Sequence, residues 1–157
     1  MRRIIPIVIA AIALTACSSI DCPLYNQVYS KYMLDGEVTM LSDTLYVSTT
    51  KVDGKDTTLI NRLYDASDFL LQMSFTQPED VLYFTFKNPL SVRTDTVRVS
   101  KTTYPHFESV DCSPSFFHQI EGVSTTRHAI DSIIIAKKIV NYDTTGCHFR
   151  IYLKPGD

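Results

Sequence analysis

The feature that most constrains this chain is a two-residue alternation of apolar and polar side chains that returns in several separate runs. Successive side chains of a β-strand point to opposite faces, so this period is typical of strands with one face against a core. The residues on the apolar phase are Leu71, Met73, Phe75, Leu82, Phe84, Phe86, Val97, Val99, Phe149, Ile151 and Leu153. The polar phase of the last run holds His148, Arg150, Tyr152 and Lys154. Helical periodicity is scarce, and we therefore expect an all-β fold.

Turn signals separate these runs. Asp53-Gly54 stands between the β-branched runs 44–51 and 57–63 and predicts a hairpin, because both residue types tolerate a positive φ. A second turn is predicted at 77–80, and Asn88-Pro89 predicts the end of a strand. About eight short strands with turns roughly every 8–12 residues predict a single antiparallel β-sandwich, loosely immunoglobulin-like. A partly closed barrel is the alternative.

Two segments depart from simple alternation. Residues 129–140 form a nearly continuous β-branched run, which predicts a strand buried on both faces. Residues 24–34 carry several tyrosines and few strong helix formers, so we expect a loop or a strand there rather than a helix.

The N-terminus has the three parts of a secretory signal. Arg2 and Arg3 are positively charged, residues 4–14 are apolar, and small residues lead to Cys17. The apolar run is shorter than the about 20 residues that a transmembrane helix needs. Residues 14–17, Leu-Thr-Ala-Cys, resemble the lipobox at which lipoproteins are cleaved and acylated. The alternative is an ordinary signal peptide with a cysteine beside its cut site.

We therefore expect a cleaved signal peptide over residues 1–16, a lipid-anchored tether over 17–21 and one domain over 22–157. Lipid attachment at Cys17 would make the membrane the first partner of this domain. No Asp directly follows Cys17, which by resemblance to the lipoproteins of double-membrane bacteria favours the outer membrane. Only Asp21 is acidic in the tether, whereas surface-exported lipoproteins carry an acidic run there. We expect the domain to face the periplasm rather than the cell surface.

The charge balance excludes two classes of partner. The formal net charge is −2 at pH 7, and no basic run is present. Removal of Arg2 and Arg3 with the signal peptide makes the mature domain still more acidic. We therefore expect no binding of nucleic acid and no charge-driven binding of anionic lipid.

Cysteine usage predicts one disulfide. Four cysteines are present, and acylation of Cys17 would leave three, so one thiol would stay unpaired in an oxidising compartment. No two cysteines have the spacing of a zinc knuckle. The preferred pair is Cys22 with Cys112, a long loop whose closure contributes about 4–5 kcal/mol in the chain-entropy model. Cys147 adjoins the last strand and can be a small buried apolar residue. Pairings that include Cys147 stay open.

Catalytic signatures are absent from the sequence. It has no Gly-x-Ser-x-Gly elbow, no His-Glu-x-x-His pair and no glycine-rich phosphate loop. The four histidines are scattered, and we expect surface or hydrogen-bonded roles for them rather than metal ligation. The many aspartates suit turns better than calcium, because no Asp-x-Asp-x-Asp-Gly spacing occurs. We expect no catalytic residue, metal or cofactor, and a small-molecule ligand stays unknown.

Residues 104–118 are the predicted functional surface. Pro105 and Pro114 interrupt the strand rhythm, so we expect this segment to lie outside continuous sheet pairing. It also concentrates aromatic side chains, which dominate interface energies when a rigid scaffold presents them. We assign partner binding to Tyr104 and His106.

In the alternative interpretation, the same segment is structural. Its phenylalanines then pack inward and close one end of the sandwich, while a disulfide at Cys112 links the segment to the N-terminus of the domain. The phenylalanines concerned are Phe107, Phe116 and Phe117.

Three segments carry a family resemblance. They are Cys22-Pro23-Leu24-Tyr25-Asn26, Pro105-His106-Phe107-Glu108-Ser109-Val110-Asp111-Cys112 and Ile130-Asp131-Ser132-Ile133. They resemble a group of small lipoproteins from Bacteroidota whose domain has no known function. The resemblance spans most of the mature chain and implies a single-domain lipoprotein with a Cys22–Cys112 disulfide. It implies no activity and therefore no catalytic residue.

The function we expect is non-enzymatic. A membrane-anchored sandwich with no catalytic constellation most often presents a surface, so we expect an accessory or assembly subunit that binds an envelope protein in an outer-membrane complex. The alternative is a surface glycan-binding module, in which exposed tyrosines line a groove. An envelope hydrolase with a site assembled from scattered Asp and His is the third hypothesis. Fold analogy separates none of these.

Overall fold

The structure, a computed structural model, describes Cys22, residues 27–51 and residues 53–155. The predicted signal peptide, the predicted lipid-attachment residue Cys17 and the predicted tether lie outside these residues. Within the described part, no helix is long and apolar enough to cross a membrane.

Ten strands account for the regular structure of the described residues, slightly more than the sequence predicts. They are β1 (Tyr29–Asp35), β2 (Thr44–Thr50), β3 (Asp56–Leu63), β4 (Asp68–Gln72), β5 (Glu79–Lys87), β6 (Val92–His106), β7 (Ser115–Thr125), β8 (Ile130–Ile135), β9 (Ile139–Val140) and β10 (Phe149–Leu153). The all-β expectation is confirmed, and β1 shows that the tyrosine-rich segment after residue 24 contains a strand.

The strands form two sheets that pack around one core. The smaller sheet has the order β4-β1-β10-β8, and the larger has the order β3-β2-β5-β6-β7-β9. Among the described strands, only β1 and β10 pair in parallel, aligning Tyr32 with Phe149 and Leu34 with Ile151. The expected antiparallel β-sandwich is therefore confirmed, with one parallel pair at the centre of its smaller sheet.

The core lies between the sheets, where the alternation places it. The Tyr32 ring stacks on Phe69 at 5.3 Å and on Phe149 at 4.6 Å, and it meets Phe84 edge-on at 5.8 Å. Such ring pairs contribute about 0.5–1.5 kcal/mol beyond the burial of their area. Burial also raises the pKa of Tyr32, so its hydroxyl stays neutral. Because Phe84 belongs to the larger sheet and the other three rings to the smaller, this cluster holds the two layers together.

The predicted Asp53-Gly54 hairpin is confirmed. β2 and β3 pair antiparallel, and the Lys51 amide donates to the Lys55 carbonyl at 2.9 Å. The Gly54 amide donates to the Lys51 carbonyl, also at 2.9 Å. Gly54 has a φ of +77°, a conformation in which a side chain would be strained, and this explains the glycine.

The inward position expected for Phe75 is wrong. β4 ends at Gln72, and Phe75 lies in the connection to β5 with 55% of its side chain exposed. Because β4 belongs to the smaller sheet and β5 to the larger, the chain leaves the first sheet before it enters the second. Alternation resumes at Leu82, which is buried.

The expectation of one strand buried on both faces at residues 129–140 is also wrong. β8 pairs only with β10 and is an edge strand. Ile130 and Ile133 are buried, whereas Ile134 is 46% exposed. After Ile135 the chain crosses to the larger sheet, where β9 pairs with β7, and this crossing breaks the β-branched run.

The last strand confirms the alternation at Phe149 and Ile151, but His148 does not face solvent. It is fully buried. Its Nδ1 accepts a hydrogen bond from the Lys31 amide at 2.9 Å, and its own amide donates to the Lys31 carbonyl at 2.8 Å. Burial lowers the pKa of His148, which keeps Nδ1 unprotonated as an acceptor. The side chain thereby extends the β1–β10 pairing by one hydrogen bond.

Candidate functional site

The predicted binding residues lie near the end of the longest strand. β6 pairs with β5 only from Val92 to Ser100, whereas it pairs with β7 as far as His106. Residues 101–106 and 115–120 thus pair with each other without β5 beside them, and β9 pairs with the β7 side at His118 and Gln119. We call these two paired segments the β6–β7 ribbon. Tyr104 and His106 are two residues apart on this ribbon, so both side chains lie on one face.

The expectation that Pro105 interrupts the pairing is wrong. Pro105 lies within β6, opposite Phe116 of β7. Because β5 does not extend this far, one edge of β6 is unpaired here, and proline is tolerated where no amide has to be donated. Only residues 107–114 lie outside the sheet, and Pro114 directly precedes β7.

Four rings form what we call the aromatic patch: Tyr104, His106, Phe117 and Tyr142. His106 stacks on Phe117 with ring centroids 4.4 Å apart, and Tyr142 meets Phe117 edge-on at 5.0 Å. Tyr104 also meets Phe117 edge-on, at 6.2 Å. The Tyr142 hydroxyl is hydrogen-bonded to Ser115 Oγ. Phe117 is therefore the centre of the patch, and Tyr104 and Tyr142 remain 38% and 40% exposed.

A disulfide fixes the end of the ribbon. Cys112 is bonded to Cys22, with their Cα atoms 5.5 Å apart, and Cys147 is a free thiol. The preferred pairing is thereby confirmed. The Cys112 amide donates to the Ser109 carbonyl at 3.2 Å, which closes a turn. The tip of the ribbon, residues 107–111, is therefore tied covalently to the start of the domain.

The phenylalanines of this segment do not all turn inward. Phe107 is 58% exposed, which contradicts an inward plug at that position. Phe116 stacks on Phe75 at 4.8 Å, and Phe117 packs partly against the core. Val110 is 96% exposed. The tip thus presents two apolar side chains, Phe107 and Val110, to solvent.

A buried ion pair at the base of the ribbon has no counterpart among the expected site residues. Lys101 Nζ lies 2.8 Å from Asp80 Oδ1; the Lys101 side chain is fully buried, and that of Asp80 is 10% exposed. Lys101 also donates to the Gln77 carbonyl at 3.0 Å. Burial raises the pKa of Asp80, and the hydrogen bond from Lys101 opposes that rise. One sequence feature could have indicated that Lys101 is buried. It lies two residues after Val99 and four after Val97, on the same inward-facing side of the strand.

His118 is buried close to this ion pair. Its Nδ1 lies 2.9 Å from Thr103 Oγ1. Burial, and after it the charge of Lys101, lowers the pKa of His118 to about 4, so the imidazole is neutral at physiological pH. A neutral, hydrogen-bonded histidine beside a satisfied ion pair is typical of a structural polar cluster.

A polar groove of about 690 Å³ opens between the β2–β3 turn and the β4–β5 connection. Its walls are Thr49, Thr50, Lys51, Asp53, Ser74, Thr76, Gln77, Glu79, Asp80 and Val81. Nine of these ten residues have polar or charged side chains, but their apolar atoms form the larger part of the wall. Across Cys22 and residues 27–51 and 53–155, no three His, Cys, Asp or Glu side chains form a group that could hold a metal ion.

Asp95 on β6 is a second buried carboxylate without a place in the expected site. Its Oδ1 accepts hydrogen bonds from Thr126 Oγ1 at 2.8 Å and the His128 amide at 2.6 Å. Its Oδ2 accepts from the Ala129 and Ile130 amides at 2.7 and 2.8 Å. Burial by itself raises the pKa of Asp95, but these hydrogen bonds outweigh it and leave the pKa below its usual range. The carboxylate is therefore ionised and saturated, as a structural group is.

These features define a class of protein: a small all-β domain with a disulfide-fixed aromatic ribbon, in which Asp80, Lys101 and Asp95 are buried with hydrogen-bonding partners. The chain belongs to a family of unknown function (DUF6452), whose model matches residues 44–153. The match runs from β2 to β10, so it includes the ribbon and Cys112 but not Cys22. No curated protein and no solved structure matches the chain.

Proposed function

We propose that this chain is an outer-membrane lipoprotein, of the kind found in Bacteroidota, that binds another envelope protein through the aromatic patch. It acts as an accessory or assembly subunit and not as an enzyme. The lipobox at residues 14–17 supports attachment of lipid to Cys17. The absence of an acidic run after Cys17 supports a domain that faces the periplasm.

The observation that carries this proposal is the aromatic patch on the β6–β7 ribbon. Its rings are packed against one another while Tyr104 and Tyr142 remain more than a third exposed. The ribbon is held at one end by the sheet and at the other by the Cys22–Cys112 disulfide. Rigid, amphipathic aromatic side chains lose little conformational entropy on binding, which is why they serve as anchors in protein interfaces.

The arrangement of the rings favours a protein partner over a glycan. Stacking on a sugar requires an open ring face, and one face of the His106 ring is covered by Phe117. Tyr104 and Tyr142 meet Phe117 edge-on, so the patch has an uneven surface of ring edges and hydroxyl groups. Such a surface suits interdigitation with protein side chains better than a flat sugar ring.

The test is chemical crosslinking of the tagged, full-length protein in intact cells, followed by identification of the captured proteins. We expect one envelope protein in stoichiometric amount. Tyr104→Ala combined with His106→Ala should weaken partner binding about thirtyfold or more and lower recovery accordingly, because truncation of interface anchors costs about 2 kcal/mol or more. The purified double variant should remain folded with a moderately lower melting temperature, because the ring contacts of two partly exposed side chains are lost.

Tyr64→Ala is the matched control. Tyr64 is 67% exposed and follows β3, at the opposite edge of the larger sheet from β9, so its loss should not change partner recovery. Wild-type recovery by the Tyr104/His106 double variant would show that the patch is not the binding site. The glycan-binding alternative would be favoured by two results together: crosslinking captures no partner protein, and soluble envelope polysaccharide releases this lipoprotein from the envelope fraction.

A further inference from the structure

We propose that the tip of the β6–β7 ribbon, residues 107–111, rests on the surface of the bilayer in which the lipid anchor is embedded. This inference rests on the lipid attachment at Cys17 that the proposed function contains. It adds a second membrane contact, made by the folded domain itself, and thereby an orientation of the sandwich relative to the membrane.

The first step is the reach of the tether. Cys22 follows Cys17 by five positions, and an extended chain advances at most about 3.6 Å per residue, so the two Cα atoms lie within about 18 Å of each other. The Cα atoms of Cys22 and Cys112 are a further 5.5 Å apart. Whatever path the tether takes, Cys112 therefore lies within about 24 Å of the acylated residue.

The second step is the length of the domain. β6 has 15 residues, and at roughly 3.3 Å per residue it extends over about 50 Å. The reach of the tether is about half of that length, so it confines the anchor to the end of the domain at which the ribbon tip lies. The far end of β6, at Val92, is out of reach.

The third step is the chemistry of the tip. Phe107 is 58% exposed and Val110 is 96% exposed, and side chains of this kind enter the boundary between headgroups and acyl chains. Glu108 and Asp111 stand beside them, and the cost of burying a carboxylate keeps the tip from entering the acyl region. The Ser109–Cys112 turn and the disulfide fix the tip before it meets the membrane, so little conformational entropy is lost on contact.

Tryptophan fluorescence provides the test, because the chain contains no tryptophan. Phe107→Trp places a single reporter at the tip, and Tyr64→Trp places one at an exposed position outside it. Each variant is expressed as the full precursor, purified after export and reconstituted into vesicles of phosphatidylethanolamine and phosphatidylglycerol whose acyl chains carry bromine. We expect bromine to quench the Phe107→Trp signal at least about twofold relative to unbrominated vesicles, and to leave the Tyr64→Trp signal unchanged.

Adding Val110→Asp to Phe107→Trp should remove most of the quenching while the protein still floats with the vesicles. If both tryptophans are equally unquenched in protein that floats, the anchor is present and the tip contact is refuted. If the protein does not float, and Cys17→Ala behaves identically, the lipid anchor itself is refuted and the tip contact with it. Flotation and quenching thus separate the two failures.

Discussion

At the scale of single residues, Asp95 takes the place of a strand partner. The β7–β8 connection leaves the larger sheet after Thr125 and joins the smaller one at Ile130. Arg127 turns the chain there with a φ of +63°, and the amides that follow it have no strand to pair with. The two oxygens of Asp95 accept their hydrogen bonds instead.

We predict that Asp95→Asn lowers the free energy of unfolding by about 3 kcal/mol, because an amide group cannot accept all the bonds that the carboxylate accepts. Urea denaturation followed by circular dichroism measures this change. Asp131→Asn is the control: Asp131 is an exposed aspartate on β8, and its replacement should change stability by less than about 0.5 kcal/mol. Equal stability of the two variants would contradict the structural role of Asp95.

The contribution of Asp95 should also depend on pH in a defined direction. Its folded-state pKa is depressed, so its stabilisation is fully present above the unfolded-state pKa of about 3.9 and is lost as the pH falls through the folded-state value. The difference in stability between the wild type and Asp95→Asn should therefore shrink below about pH 4. His118, whose pKa is lowered to about 4, contributes equally to both proteins and cancels.

The sequence predicts the covalent part of the site better than its polar part. Cys22 with Cys112 is the preferred one of three possible pairings, and the family resemblance favours the same pair. Asp95 and Lys101 could not be recognised, because a charged residue on an inward phase acquires a role only from partners distant in sequence. The burial of His148 could not be predicted for the same reason, because its role as a hydrogen-bond acceptor depends on Lys31 of another strand.

At the scale of elements, the base of the β6–β7 ribbon depends on the buried ion pair. Lys101→Met leaves the Asp80 carboxylate buried without its cation, so we predict a loss of about 3–5 kcal/mol in the free energy of unfolding. Combining Lys101→Met with Asp80→Asn should recover part of that loss, because the uncompensated charge is then gone. Urea denaturation of the single and double variants provides the measurement.

The exposed pair of Lys137 with Asp143 supplies the comparison. Their side chains lie 2.6 Å apart and are 32% and 46% exposed, so Lys137→Met should cost no more than about 1 kcal/mol. A Lys101→Met variant as stable as Lys137→Met would mean that solvent reaches Asp80.

Strand positions were largely predictable, whereas strand partners were not. The two-residue alternation locates β5 and β10 because it records which face meets the core. It carries no information on neighbours, and the parallel pairing of β1 with β10 joins segments from opposite ends of the chain. The prediction for residues 129–140 was wrong for a related reason. An edge strand followed by a crossing to the other sheet can have the same β-branched composition as one central strand.

At the scale of the whole molecule, one covalent bond ties the start of the domain to a residue 90 positions later. We predict that replacing both Cys22 and Cys112 by Ser lowers the free energy of unfolding by about 4 kcal/mol, because the unfolded chain regains the entropy of the open loop. The measurement is urea denaturation under non-reducing conditions. Cys147→Ser should leave the midpoint nearly unchanged, and an equal effect of the two replacements would contradict the prediction.

The two proposed contacts also constrain each other. Tyr104 lies only three residues before Phe107 in the ribbon, a rise of about 10 Å along a strand. If the tip lies on the bilayer, the aromatic patch lies just above the headgroups. A partner that binds the patch would then also lie close to the membrane surface.

In this arrangement the disulfide also determines where mechanical force enters the domain. A pull between the lipid anchor and a partner held at Tyr104 and His106 runs from Cys22 across the sulfur bridge into the end of the ribbon. β1, which follows Cys22 in the chain and lies at the centre of the smaller sheet, is outside that path. With the proposed anchor and partner, such a force would be carried by one covalent bridge and a short piece of ribbon, and the sandwich would not be stretched.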